Sequence, residues 1–246
     1  TDITTVIIGR ALQGAGAVSA VVTALLADLT REENRTKAMA MIGATIGVTF
    51  ALSLVLGPAL ANWAGIAGIF WLTAILAGLA ILVVKFAVPN PILSSYHSDA
   101  SATPTKLKDV LKNTQLLRLN YGIFALHAAQ MAMFIVVPLA IQNTSNLDVN
   151  HHWQVYLPIL LGSFLLMIPA IIVGEKRGLL KPIFIGAVAL MLVAQLCFAG
   201  LIHSFWGIIF SLFTYFVAFN ILEASLPSLI SKLAPAAAKG TAMGVY

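Results

Sequence analysis

Residues 9–58 read GRALQGAGAVSAVVTALLADLTREENRTKAMAMIGATIGVTFALSLVLGP. Two apolar runs flank one short, densely charged turn. No charged side chain lies between Ala11 and Ala27 or between Ala38 and Ala61, so Arg10 stands nearly alone in apolar sequence. A run of about 20 apolar residues is what a helix needs to cross the hydrocarbon core of a bilayer. An arginine at that depth costs several kcal/mol unless a partner or a water-filled cavity receives it, which makes Arg10 a candidate functional residue. The alternative is snorkelling of its head towards the outer interface. Gly9, Gly14 and Gly16 beside it allow the close helix approach that small residues give within membranes.

Composition agrees with this stretch. Hydrophobic residues make up 60% of the 246 and charged ones only 9%, with a mean hydropathy of +0.96, whereas soluble domains carry about 25% charged residues. The net charge of +5 does not indicate a nucleic-acid partner, because the basic residues fall in short turns between apolar runs rather than on one folded face. A single cysteine, Cys197, excludes an internal disulfide, and no metal-ligand spacing occurs. No cofactor is expected. The opening Thr1-Asp2-Ile3 has no basic leader and reads as an internal start.

Seven complete spans are expected, over approximately 4–27, 38–61, 65–88, 118–141, 153–174, 182–202 and 206–230, with an eighth beginning near Gly240. Cytoplasmic loops collect Lys and Arg. Thirteen of the fourteen basic residues fall in alternate connections: the turn 28–37, the segment around 85–118, and the turns 175–181 and 231–239. The intervening loops 62–64, 142–152 and 203–205 hold none, so the first span descends from outside to inside. Thr30 and Glu33 are spaced as a capping box that starts the second helix. Between Pro89 and Pro104 the chain becomes a polar, Pro- and Ser-containing linker. The stretch 105–118 then sets Leu107, Val110, Leu111 and Leu117 among lysines, as an interfacial helix does.

An internal repeat accompanies this division. Residues 34–40, NRTKAMA, resemble 238–244, AKGTAMG, each following a descending span and opening a helix. Two copies in one orientation fit parallel repeats related by an axis along the membrane normal.

Few polar groups lie inside the spans. Glu223, within FVAFNILEASLPSLIS, is the second intramembrane charge, and a carboxyl able to exist in both protonation states there is a candidate proton carrier. The alternative is a neutral, hydrogen-bonded carboxyl in the bundle. Asn220 lies close by on the same helix, and Asn120, His127 and Gln130 share a stripe with Phe124 and Phe134. Arg10 and Glu223 sit at different depths on parallel helices, about 15 Å apart along the axis at 1.5 Å per residue, too far for a static ion pair.

These segments resemble the major facilitator superfamily. Arg10-Ala11-Leu12-Gln13-Gly14 matches the RxxQG element of that family's fourth helix, and Glu175-Lys176-Arg177-Gly178 echoes its DRxG motif. Gly57-Pro58 keeps part of the antiporter motif gxxxGPxxGG, although Ser53 and Ala61-Asn62 replace three of its glycines. GRALQG, DLTREENRTKAMA, VLGP, LPSLIS and KGTAMGVY are similar to the YajR-like, proton-driven drug-efflux branch. The resemblance implies an all-α membrane protein of two six-helix bundles, entered at its fourth helix and reaching the start of the eleventh. It divides the chain into the end of an N-terminal bundle (1–88), a cytoplasmic linker with interfacial helix (89–117) and a C-terminal bundle (118–246).

The expected function is secondary active transport in the inner membrane by a monomer, a proton-coupled antiport exporting a small amphiphilic solute. Arg10, Gln13, Asn120, His127, Gln130 and Asn220 would line the cavity, Glu223 would couple to protons, and Asp28, Gly57, Pro58 and Glu175 would belong to the conformational switch. An uncoupled facilitator or a non-transporting scaffold is the alternative. An intramembrane enzyme is disfavoured, since neither HExxH nor GxSxG occurs.

Overall fold

The structure, a computed structural model, describes residues 2–15, 22, 25, 29, 32–88, 104–235 and 239–246. In a bilayer every backbone amide must be paired inside its own element, and the described regular structure is helical throughout. The helices are α1 (Ile3–Ala15), α2 (Glu32–Phe86), α3 (Pro104–Lys112), α4 (Thr114–Ser145), α5 (Trp153–Lys176), α6 (Leu180–Leu201), α7 (Phe205–Leu233) and α8 (Lys239–Val245), with a 3-10 turn at Val149–His151. Among the described residues, five segments are long and apolar enough to cross a membrane.

Five is fewer than the seven expected spans, for two reasons. The first span, 4–27, is described as continuous helix only to Ala15; the rest of it, with Asp28 and Thr30, lies outside the described residues apart from isolated positions. The second and third, 38–61 and 65–88, are two helices that share the range α2 and meet at a kink at Gly65 with no loop between them. The apolar part of α2, Thr45–Phe86, has 42 residues, about 63 Å of helix, or twice the thickness of a hydrocarbon core. Its one non-helical residue is Gly65, at φ 69 and ψ 179, a region open essentially to glycine alone. The break therefore falls one residue beyond the expected loop, because Asn62-Trp63-Ala64 can continue a helix and Gly65 can end one.

The expected interfacial helix is also shorter than 105–118. Asn113 leaves the helical region (φ −76, ψ 106), and its side chain accepts from the amides of Gln115 at 3.0 Å and Leu116 at 3.3 Å. It thereby caps α4, which starts four residues before the expected 118. Of the four apolar residues assigned to that stretch, Val110 is buried against the bundle, while Leu107, Leu111 and Leu117 are exposed.

α4 ends at Asn146, in the left-handed region at φ 54, whose amide reaches the Gln142 carbonyl at 3.1 Å. α5 ends where Gly178 takes φ 68 and the Leu179 amide bonds the Gly174 carbonyl at 2.8 Å. The glycine of the Glu175–Gly178 motif thus has a structural task, closing a helix. The connections 142–152 and 175–181 lie at opposite ends of this 24-residue helix, separated by about 36 Å.

α7 is the hub. It packs against α4, α5, α6 and α8, and Ile208, Leu212, Tyr215 and Ala218 on it are wholly inaccessible. A Cβ at Gly122 of α4 would lie 3.5 Å from Leu226, and the rings of His127 and Phe219 meet at 6.1 Å. Rising numbers on one helix face falling numbers on the other, so α4 and α7 are antiparallel. α5 runs parallel to α7, with Gly162 beside Phe213 and Ser163 beside Asn220. The first half of α2 reaches the same assembly: Phe50 meets Phe134 of α4 edge-on at 6.3 Å, and a Cβ at Gly47 would lie 3.6 Å from Phe164 of α5. Close packing of this kind, rather than exclusion of water, holds helices together in lipid. Large apolar residues such as Trp63, Leu165 and Trp206 point outward.

Gly65→Ala forces a side chain into glycine's region at a cost of about 1–3 kcal/mol. It is expected to lower the thermal midpoint of the detergent-solubilised full-length protein, whereas Gly78→Ala, an α2 position with open space around it, holds or raises the midpoint, since alanine is the better helix former.

Candidate functional site

The polar stripe of α4 lies at the edge of its buried face. Leu119, Leu126 and Met133 are buried in the core, while Asn120, Gln130 and Phe134, displaced around the helix, are half-buried and His127 is exposed. His127 Nδ1 lies 3.2 Å from the Ile123 carbonyl, and its ring edge meets Phe219.

Opposite it, α7 presents Tyr215, Phe219 and Glu223 at intervals of four, one above another on a single face. Tyr215 and Phe219 stack with centroids 5.8 Å apart. Because Phe219 faces His127, Glu223 falls one turn nearer the Asn120 end of α4. Asn120 Oδ1, Glu223 Oε2 and the hydroxyls of Tyr215 and Tyr246 are all buried without a hydrogen-bond partner among the described residues. Glu223 lies within Coulombic reach of His127, Tyr215 and Tyr246. Buried polar atoms nearly always find partners, so the unpaired Glu223 oxygen, on a helix lined mainly by apolar side chains, marks that residue as a candidate functional group.

The other expected site residues are placed as follows. Arg10 Nη1 donates to Gln13 Oε1 at 2.7 Å, both exposed on α1. Asn220, expected to line a cavity, is buried, and its Nδ2 donates to Ser163 Oγ of α5 at 2.7 Å. Ser163 donates in turn to the Leu160 carbonyl at 2.6 Å. Gly57 and Pro58 are half-buried within α2. Glu175 lies in the last turn of α5, and Asp28 is outside the described residues. Among the described residues no group of His, Cys, Asp or Glu is arranged to hold a metal ion.

Sequence reading passed over Ser163, Tyr215 and Tyr246. Tyr215 was detectable, since it stands eight residues before Glu223 and so shares its face. Ser163 and Tyr246 acquire meaning only through helices 57 and 23 residues away in sequence from Asn220 and Glu223. Two cavities lie elsewhere: about 390 Å³ bounded by Pro158, Ile159, Trp206, Ile209, Phe210 and Phe213, and about 270 Å³ near Asn143 and His203. The first is apolar, as acyl chains require, and neither touches Glu223.

A bundle of membrane-length helices with an acidic group at a helix–helix contact defines a polytopic membrane protein. The chain belongs to the Major Facilitator Superfamily, whose profile matches residues 1–246. It is 43% identical over 241 residues to the inner membrane transport protein YajR of Escherichia coli K12, covering 98% of this chain and 53% of that protein. It is 32% identical over 249 residues to an uncharacterized transporter of Buchnera aphidicola subsp. Acyrthosiphon pisum, covering 98% of this chain and 62% of that one. A shorter match, 40% over 96 residues, covers 36% of this chain and 18% of a triacylglyceride transporter of Mycobacteroides abscessus. The chain thus spans between about half and three fifths of the first two relatives.

The Asn220–Ser163 bond is expected to be structural. Asn220→Ala and Ser163→Ala each strand a buried polar atom and are predicted to destabilise the full-length protein by about 1–3 kcal/mol. In a thermal-shift double-mutant cycle the combined variant loses clearly less than the sum.

Proposed function

We propose that the full-length protein is a secondary active transporter of the inner membrane, a monomer that exchanges protons for a small amphiphilic solute by alternating access. The observation that carries this reading is Glu223: a carboxyl in a membrane helix, with one oxygen buried and without a hydrogen-bond partner among the described residues, on the face of α7 that meets His127 of α4. An ionisable group is kept at such depth at a cost, and pathways for ions and substrates are where that cost is met. The names of the Escherichia coli and Buchnera relatives support transport. Proton coupling and export rest on Glu223 and on the partly kept antiporter motif at Gly57-Pro58.

In this reading residues 1–88 and 118–246 belong to two bundles that rock about a midplane site, with 89–117 as the cytoplasmic linker. The contacts of Gly47 and Phe50 with Phe164 and Phe134 form part of the seam between them. Arg10 and Gln13, already bonded to each other, shape the N-terminal wall of the cavity, and Asn120, His127 and Gln130 the C-terminal wall. Asn220 supports that wall through Ser163. Glu175, in the last turn of α5, and Asp28, at the end of the first apolar run of the sequence, would belong to the cytoplasmic switch.

Proteoliposomes of the full-length protein, screened for solute-dependent proton release, test the reading. Glu223→Gln is expected to abolish proton-driven uphill transport while leaving solute exchange measurable; uphill transport at the wild-type rate would exclude the role. Arg10→Ala is expected to reduce transport more than Arg10→Lys, and wild-type rates in both would assign Arg10 to the interface instead.

A further inference from the structure

We infer that α3 is a docking surface for acidic phospholipid, with Leu107 and Leu111 seated at the edge of the acyl chains and Lys108 and Lys112 holding the headgroup phosphate. The inference stands apart from Glu223 and from the transported solute.

The side chains of α3 sort by azimuth. At 3.6 residues per turn and with Val110 as reference, Leu107 and Leu111 lie about 60° and 100° around the helix, Lys108 and Lys112 about 160° and 200°, and Asp109 about 100° the other way. Burial follows the same order. Val110 is 1% exposed, Leu107 41% and Leu111 47%, and both lysines are exposed. Val110 therefore pins α3 to the bundle, the leucines form a stripe beside that seam, and the lysines form a second stripe beyond them. α3 packs against α4 and α8, and a single residue, the capping Asn113, joins it to α4, so these faces are held in place.

Each exposed pair carries a cost that a partner removes. Leu107 and Leu111 leave apolar surface uncovered. Lys108 and Lys112 are like charges four residues apart on a helix, which repel each other. An acidic protein surface would offset the second cost alone, whereas an anionic membrane surface offsets both.

The position of α3 selects the same partner. It ends at Lys112, two residues before Thr114 opens one of the membrane-length helices, which sets α3 at headgroup level. The stretch 105–118 holds Lys106, Lys108, Lys112 and Arg118 against one acid, Asp109. Arg118 is exposed one turn into α4, at a depth from which an arginine reaches back to the headgroups. Basic residues beside a membrane helix attract anionic lipid, and an apolar stripe on the same short helix adds insertion.

The test places an environment-sensitive NBD fluorophore on Leu111→Cys in a cysteine-free background of the full-length protein. The protein is reconstituted in phosphatidylcholine nanodiscs containing a small, equal fraction of spin-labelled phosphatidylglycerol or spin-labelled phosphatidylcholine as quencher. A basic residue at an anionic surface is worth about a fivefold preference, so the acidic quencher is expected to associate about fivefold or more strongly than the zwitterionic one, and less so at high salt. In Lys108→Gln/Lys112→Gln the two quenchers should become equal while quenching by phosphatidylcholine persists. Lys108→Arg/Lys112→Arg should keep the preference, which guards against a misfolded glutamine variant. The charge-matched pair Lys176→Gln/Lys181→Gln, exposed near the α5–α6 turn, should keep it as well. Equal quenching in the starting protein, a preference that survives Lys108→Gln/Lys112→Gln, or its loss in the charge-matched pair would each overturn the inference. Absence of quenching by either lipid would overturn it too, and would assign the leucines to a protein partner.

Discussion

Hydrocarbon offers no hydrogen-bond partner, and the architecture follows from that constraint. It forces each span into helix, sends lysines and arginines to the connections, and makes a polar side chain inside a span costly unless it is paired. α7 displays both outcomes within one turn. Asn220 is paired with Ser163 and buried, whereas Glu223 has a buried oxygen without a partner among the described residues. The first fixes α5 against α7; the second is the group around which transport is proposed to occur.

The all-helical membrane architecture was legible in the sequence, because bilayer thickness imposes a length on apolar runs that composition alone reveals. The alternation of basic turns agrees with the structure where it bears on α5, whose two ends carry the connections 142–152 and 175–181. What sequence could not give were details set by single backbone conformations. The positive φ of Gly65 decides where α2 breaks, and the switch of Asn113 out of helix divides the interfacial segment from α4. Neither residue differs in type from many others along the chain, so only the folded backbone distinguishes them.

The site divides along the same line. Glu223 and the stripe Asn120–His127–Gln130 stand out because charge and amide groups are rare in spans, and the structure sets His127 and Glu223 on facing sides of the α4–α7 contact. Asn220 has the same rarity and a different task, since its partner is contributed by α5. Tyr215 and Tyr246 are amphipathic and pass for ordinary wall residues until the fold sets their hydroxyls near a carboxyl. Arg10 touches Gln13 one turn along its own helix, so its proposed place in a cavity wall comes from the resemblance.

The central claim is that these helices cross a bilayer in alternating directions. Single cysteines at Ser145 and Arg177, placed in a Cys197→Ala background of the full-length protein, test it with a membrane-impermeant maleimide. In intact cells the reagent should label position 145 from outside and reach 177 only after permeabilisation; labelling of both from the same side would contradict the account.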